Sequence, residues 1–182
     1  MNSTRIGFLV NPIAGMGGSV GLKGTDGSAL YEAIRRGAKP VAPCIARRFA
    51  ISLAKICMNN KCHGLTFVVA PKIMGEDYIE DLKSLINVEI LEYPLGSMTS
   101  RYDTINIVKL MLLKNVDLIT FVGGDGTARD IASVVNQTIP ILGIPSGVKM
   151  YSSVFAVSPE SAARLVFEFY RGRTNIVESE IL

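Results

Sequence analysis

The chain has 182 residues, 48% hydrophobic and 19% charged, so it reads as a globular protein with a real core, not a disordered one. The net charge of +3, with no aromatic residues interleaved among the basic ones, gives no reason to expect a nucleic-acid surface. No apolar run approaches the ~18 residues of a membrane span, and the patch at 6–10 is too short for a signal peptide; a soluble cytoplasmic protein is expected, with no membrane partner.

The first predicted strand is residues 5–10 (RIGFLV), stopped by Asn11-Pro12. The loop 11–27 (NPIAGMGGSVGLKGTDG) holds six glycines. Its place directly after a first strand favours a backbone cradle for a ligand over flexible filler. It spells neither a Walker A loop nor GxGxxG. Ser28 can cap a short helix over 29–36 that Gly37 ends. Residues 39–43 form a proline-containing loop, and 44–58 an amphipathic helix with Ile45, Phe49, Leu53 and Ile56 inward. Three sparse cysteines, Cys44, Cys57 and Cys62, suggest unpaired thiols and a reducing compartment. Cys57, Cys62 and His63 lack the fourth ligand that zinc wants, so no metal site is expected there.

The second strand is 65–70 (LTFVVA), broken by Pro71. Residues 75–86 read as a helix with Glu76 and Asp77 early and Lys83 late. A third strand follows at 88–91. Ser100 or Thr99 then caps a helix over 101–114, whose buried stripe is Ile105, Val108, Met111 and Leu112. The fourth strand, 118–122, runs into Gly123-Gly124-Asp125-Gly126-Thr127, and a helix over 128–135 follows, opened by Thr127. Residues 139–144 make a fifth strand, turned at Pro145-Ser146-Gly147. A short helix over 148–155 is expected, then one starting at Ser158-Pro159-Glu160 and reaching Tyr170. The alternation at 174–181 suggests a last strand.

Strands that are continuous apolar runs and alternate with helices describe an α/β fold: a Rossmann-like three-layer sandwich around a mostly parallel sheet. Its ligand loops lie at the C-terminal strand ends. Loops 11–27, 123–127 and 145–149 should therefore meet on one edge. A strand, a glycine turn and a helix N-terminus present backbone N–H groups and a positive dipole end to a phosphate. Asp125 in that turn suits a general base for an acceptor hydroxyl, or a carboxylate holding Mg²⁺ through water. Lys149 can pair with phosphate or be a solvated lysine. Ser146 and Gly147 can offer a hydroxyl and an N–H to a ligand, or serve the turn alone. Asp130 reads as a surface charge or a partner in the neighbourhood of Arg129.

GGDGT at 123–127, after an apolar strand, resembles the signature of NAD kinases, diacylglycerol and sphingosine kinases and, more distantly, 6-phosphofructokinases. With IGFLVNPIAGMGG (6–18) and ILGIPSGVKMYSSVFAVSP (141–159), the chain looks like the ATP-NAD kinase-like proteins of archaea and bacteria. The resemblance implies an NAD kinase/phosphofructokinase-like N-terminal domain of a phosphotransferase that uses ATP or polyphosphate with Mg²⁺, NAD being the expected acceptor. Asp125 would be the catalytic base. Asn11, Gly15, Gly17, Gly18, Gly123, Gly124, Gly126, Thr127, Ser146, Gly147 and Lys149 would border the nucleotide. Residues 1–175 would form the nucleotide-binding domain, and 176–182 the start of a β-rich C-terminal domain that this chain lacks. Partners would be the nucleotide, a small-molecule substrate and further copies of the chain in a homo-oligomer. A kinase for a lipid or polyol acceptor and a non-catalytic nucleotide-binding module are the alternatives. The glycine loop and the Pro145–Lys149 turn depart from the ordinary NAD kinase pattern.

Overall fold

A computed structural model describes residues 3–17, 28–147 and 150–182. Five parallel strands form its sheet in the order β3-β2-β1-β4-β5. They are β1 (Thr4–Val10), β2 (Leu65–Val69), β3 (Asn87–Ile90), β4 (Leu118–Gly123) and β5 (Ile141–Pro145). The helices are α1 (Ser28–Arg35), α2 (Ala42–Asn60), α3 (Arg101–Leu113), α4 (Asp125–Val135) and α5 (Pro159–Tyr170). This is the Rossmann-like α/β sandwich expected from the alternation of strands and helices.

Side-chain alternation along the strands sorts the core into two layers. Ile6, Phe8 and Val10 of β1 and Leu118 and Val122 of β4 face α2 and α5. Phe8 stacks on Phe49 of α2, ring centroids 5.4 Å apart. Leu9, Ile119 and Phe121 face α3 and α4, where Ile107, Val108, Met111, Ala128 and Ile131 are buried. Ser158 caps α5 as expected, accepting the Ser161 N–H at 3.0 Å. At α3 the cap is Ser100, whose N–H and hydroxyl both donate to the Asp103 carboxylate, at 2.7 and 2.8 Å.

Several local expectations are corrected. Residues 75–86 form no continuous helix; two 3₁₀ turns, Glu76–Tyr78 and Glu80–Leu82, take its place, after a first at Lys72–Met74. A helix there would stack Glu76 on Glu80 and Asp77 on Asp81, like charges at i,i+4. The Glu76 N–H instead donates back to Ala70 O at 2.9 Å, while Ile79 and Leu82 still reach the core. The segment 150–155 is not helical, and 148–149 lie outside the described residues. Residues 174–181 form no strand: the backbone N–H of Leu182 goes to the Ser152 hydroxyl, not to a sheet neighbour.

Cys57 and Cys62 are joined in a disulfide, with Cα atoms 5.2 Å apart, and are not free thiols. The cause is the end of α2. Lys61 adopts a left-handed conformation (φ 50°) and donates its N–H to Cys57 O, which folds the next residue back against the last helical turn. Both cysteines are buried, and Cys44 is free and exposed.

Candidate phosphate site at the sheet switch point

The chain builds β1, β2 and β3 outward in one direction, then returns past β1 to lay down β4 and β5. The order therefore reverses between β1 and β4, where open α/β sheets leave a crevice at their C-terminal edge. β1 and β4 run in register up to Val10 opposite Val122. The next residues, Asn11 and Gly123, therefore emerge side by side.

Asn11 ties the two strand ends together. Its N–H donates to Val122 O at 2.9 Å, and its side-chain amide donates to Thr127 Oγ1 at 3.0 Å. Thr127 is buried and does not open the helix as expected. Gly124, in extended backbone, is the N-cap, and Asp125 is the first helical residue. Gly123 is dictated by packing: a Cβ there would stand 2.7 Å from Thr127 Oγ1. On the other side, the Ser146 N–H donates to Gly123 O at 3.1 Å. Gly15, at φ +81°, crosses so close above that a Cβ would lie 1.9 Å from Ser146 O. Loops 11–17, 123–127 and 145–147 thus touch one another, as predicted. Gly17 is buried within the first of them, and Gly147 leads out of the last, where a Cβ would lie 3.0 Å from Met150 Cε. Gly18 and Lys149 lie outside the described residues.

Gly124 and Gly126 differ from Gly123. A Cβ at 124 would meet only the Met150 side chain, at 3.8 Å, and one at 126 only Arg129 Nη2, at 4.0 Å. Gly124 has φ −121° and ψ −171°, open to any residue, and Gly126 is helical and exposed. Neither packing nor backbone conformation requires glycine at these two positions, although glycine is an ordinary residue for the N-cap place that Gly124 holds.

Asp125 reaches across to the segment after β5. Its carboxylate accepts the Ser152 hydroxyl at 2.6 Å, the Ser152 N–H at 2.9 Å and the Tyr151 N–H at 3.0 Å. Partial burial pushes this carboxyl up. The Ser152 hydroxyl, the two N–H groups and the Arg129 charge outweigh it and hold the group below its ordinary value. Asp125 is therefore ionised at neutral pH. Oδ1 takes both Ser152 donors and Oδ2 only Tyr151, so the spare acceptor capacity lies on Oδ2. Asp130, one turn further on, pairs with Arg101 of α3 at 2.6 Å and is no second acid of the site.

Ser152 and Tyr151 went unread in the sequence. Nothing in the local pattern of 150–153 marks them, since their role is set by bonds to a residue 26 and 27 positions earlier. Among the described residues, no three His, Cys, Asp or Glu side chains cluster as a metal site would require. An Mg²⁺ ion here would draw most of its oxygen ligands from phosphate and water. No helix among the described residues is long and apolar enough to cross a membrane.

Fold and loops together define a Rossmann-like α/β domain with a glycine-lined helix N-terminus at its switch point. Comparison with known proteins gives the family: residues 6–174 match the ATP-NAD kinase N-terminal domain, and the chain belongs to that family. An Archaeoglobus fulgidus protein, described as uncharacterized, is 38% identical over 98 residues, which cover 53% of this chain and 31% of that protein. The match thus spans about a third of the relative's length. No solved structure matches the chain.

Proposed function

We propose that this domain binds the phosphates of ATP, or of polyphosphate, at the edge formed by Asn11, Gly15, Gly123, Gly124, Gly126 and Ser146. It would serve a kinase that phosphorylates a hydroxyl group, with NAD as the favoured acceptor. The observation that carries the reading is Gly126, beside the open N-cap glycine Gly124. Glycine inside a helix costs about 0.5–1 kcal/mol relative to alanine, and the fold offers nothing in return at position 126. Close approach of a phosphate to the backbone supplies the missing reason, as the helix dipole and free N–H groups supply the attraction.

In the reaction, the glycine turn holds the transferring phosphoryl group and Asp125 receives the acceptor hydroxyl. Phosphoryl transfer asks mainly for positioning and charge neutralisation. An ionised carboxylate, held by Ser152 and Tyr151 and with spare acceptor capacity on Oδ2, can accept the hydroxyl proton as the new P–O bond forms and the bond from the transferred phosphoryl group to the leaving ADP, or shortened polyphosphate, breaks. Bound Mg²⁺ would neutralise phosphate charge, with Asp125 oriented toward it directly or through water. Asn11 and Thr127 brace the turn from below. Gly17, Gly18, Gly147 and Lys149 complete the nucleotide border in this reading.

The test is calorimetric titration of the protein with Mg·ATP and with NAD, beside an assay of ADP release in the presence of both. Binding of ATP with NAD-dependent ADP release, reduced roughly 10²–10⁴-fold in Asp125→Asn, supports the proposal. Turnover with a lipid or polyol in place of NAD would move the acceptor and keep the chemistry. A second reading, nucleotide binding without turnover, draws on the three internal donors that already occupy Asp125. It predicts ATP binding with no ADP release and no effect of Asp125→Asn.

A further inference from the structure

We propose that Arg129 is the side chain that clasps the phosphate chain in this site, pairing with an anion lying along Gly124–Gly126. The inference rests on the phosphate-site reading above and assigns it a residue. Arg129 is exposed on α4, yet its guanidinium turns back toward the start of the helix, with Nη2 4.0 Å from where a Gly126 Cβ would stand. That is the wrong end of the helix for a cation, because the first turn carries the positive end of the dipole.

The nearest carboxylates account for the placement only in part. Asp130, its neighbour, is taken by Arg101, and Asp125 is bonded to Tyr151 and Ser152. Arg129 follows Asp125 by one helical turn and its charge helps hold that carboxyl down, but the two form no ion pair. Arg129 itself makes no hydrogen bond or ion pair among the described residues. Two other exposed arginines are paired, Arg48 with Glu160 and Arg101 with Asp130.

A second, independent observation marks the same place as incomplete. The Ser146 hydroxyl oxygen is buried, in a residue only 3% exposed, and has no hydrogen-bond partner. The residue follows β5, its N–H bonded to Gly123 O and its carbonyl close under Gly15. Buried polar groups are ordinarily met. A polyanion at the turn would give the α4 N–H groups, the unpaired guanidinium and this edge of the sheet one common counterpart. Guanidinium suits it, because its planar fork can bind two phosphate oxygens at once. Arg129 would thus discriminate for a chain of phosphates over a neutral ligand.

The experiment titrates wild type, Arg129→Ala, Arg129→Lys and a remote control, Arg164→Ala, with Mg·ATP and with inorganic tripolyphosphate at two salt concentrations. Circular dichroism checks each fold. Arg129→Ala should weaken both probes by about tenfold to a hundredfold, the usual worth of a charged hydrogen bond. Its affinity should also depend less steeply on salt. Arg129→Lys should fall between, and Arg164→Ala should stay near wild type. If wild type binds both probes and Arg129→Ala binds them as tightly, the role of Arg129 is overturned and the phosphate site stands. If wild type binds neither probe, the phosphate-site reading falls and takes this assignment with it.

Discussion

Replacing Gly126 with alanine should make the domain more stable and a poorer binder. Position 126 is the second residue of α4, exposed, with helical backbone. An alanine Cβ there would meet nothing nearer than Arg129 Nη2 at 4.0 Å, an ordinary contact with a movable side chain. The fold therefore gains at most the helix-interior advantage of alanine, about 0.5–1 kcal/mol. For a chain of this size, 1 kcal/mol moves Tm by about 2–4 °C, so a rise of roughly 1–4 °C is expected. The methyl group would stand where the proposed phosphate approaches. Losing one backbone N–H bond to a charged oxygen weakens binding about tenfold to a hundredfold. Gly123→Ala provides the contrast. Its Cβ would be forced to within 2.7 Å of Thr127 Cβ and Oγ1. Overpacking of that kind costs about 1–3 kcal/mol, or roughly 2–12 °C of Tm. Thermal melts and titration with Mg·ATP read both effects. A Gly126→Ala protein that melts lower, or binds ATP as tightly as wild type, would refute the reasoning that this glycine is kept for a ligand.

Three further outcomes follow from the same structure. Because the folded state lowers the Asp125 pKa, this carboxylate contributes stability that is fully present above the unfolded value of about 4. It is lost as pH falls through the depressed folded value, so Asp125→Asn should flatten the acid limb of the stability profile below about pH 4. Ser152→Ala removes the hydroxyl bond that holds this group down, so Asp125 should titrate at higher pH, visible in the carboxyl carbon shift by NMR; an unchanged titration would contradict the assigned network. Reduction of the Cys57–Cys62 bridge should cost about 2 kcal/mol for so short a loop. Melting with and without reductant should then differ by roughly 4–8 °C; three reactive thiols in the denatured, unreduced chain, instead of Cys44 alone, would disprove the pairing.

The parallel sheet was legible because its strands are buried on both faces. Runs such as LTFVV and LITFV carry no charge and need no partner to be recognised. The helix over 75–86 was misread for the opposite reason. Its apolar spacing is helical enough to bury Ile79 and Leu82, but the backbone bond from Glu76 to Ala70 and the stacked acids decide against it. Only the folded chain reveals the first of these. The disulfide escaped composition because cysteine count speaks of frameworks, whereas this bridge depends on one left-handed residue at the end of α2.

The site divides along the same line. Gly123-Gly124-Asp125-Gly126-Thr127 announces itself in the sequence because glycines between a strand and a helix are a local signal. Its five residues nevertheless do different things, and the sequence writes them alike. Gly123 and Thr127 serve each other's packing, Gly124 and Gly126 stand open, and Asp125 is held by Tyr151 and Ser152. Sequence pattern by itself determined the fold class, the strand order's raw material and the place of the glycine turn, since these follow from local burial and backbone freedom. Which glycine faces a neighbour and which faces open space, what restrains Asp125, and why Arg129 is left unpaired were decided by tertiary structure. They depend on contacts between residues far apart in the chain, and pairwise contacts leave no mark on local periodicity.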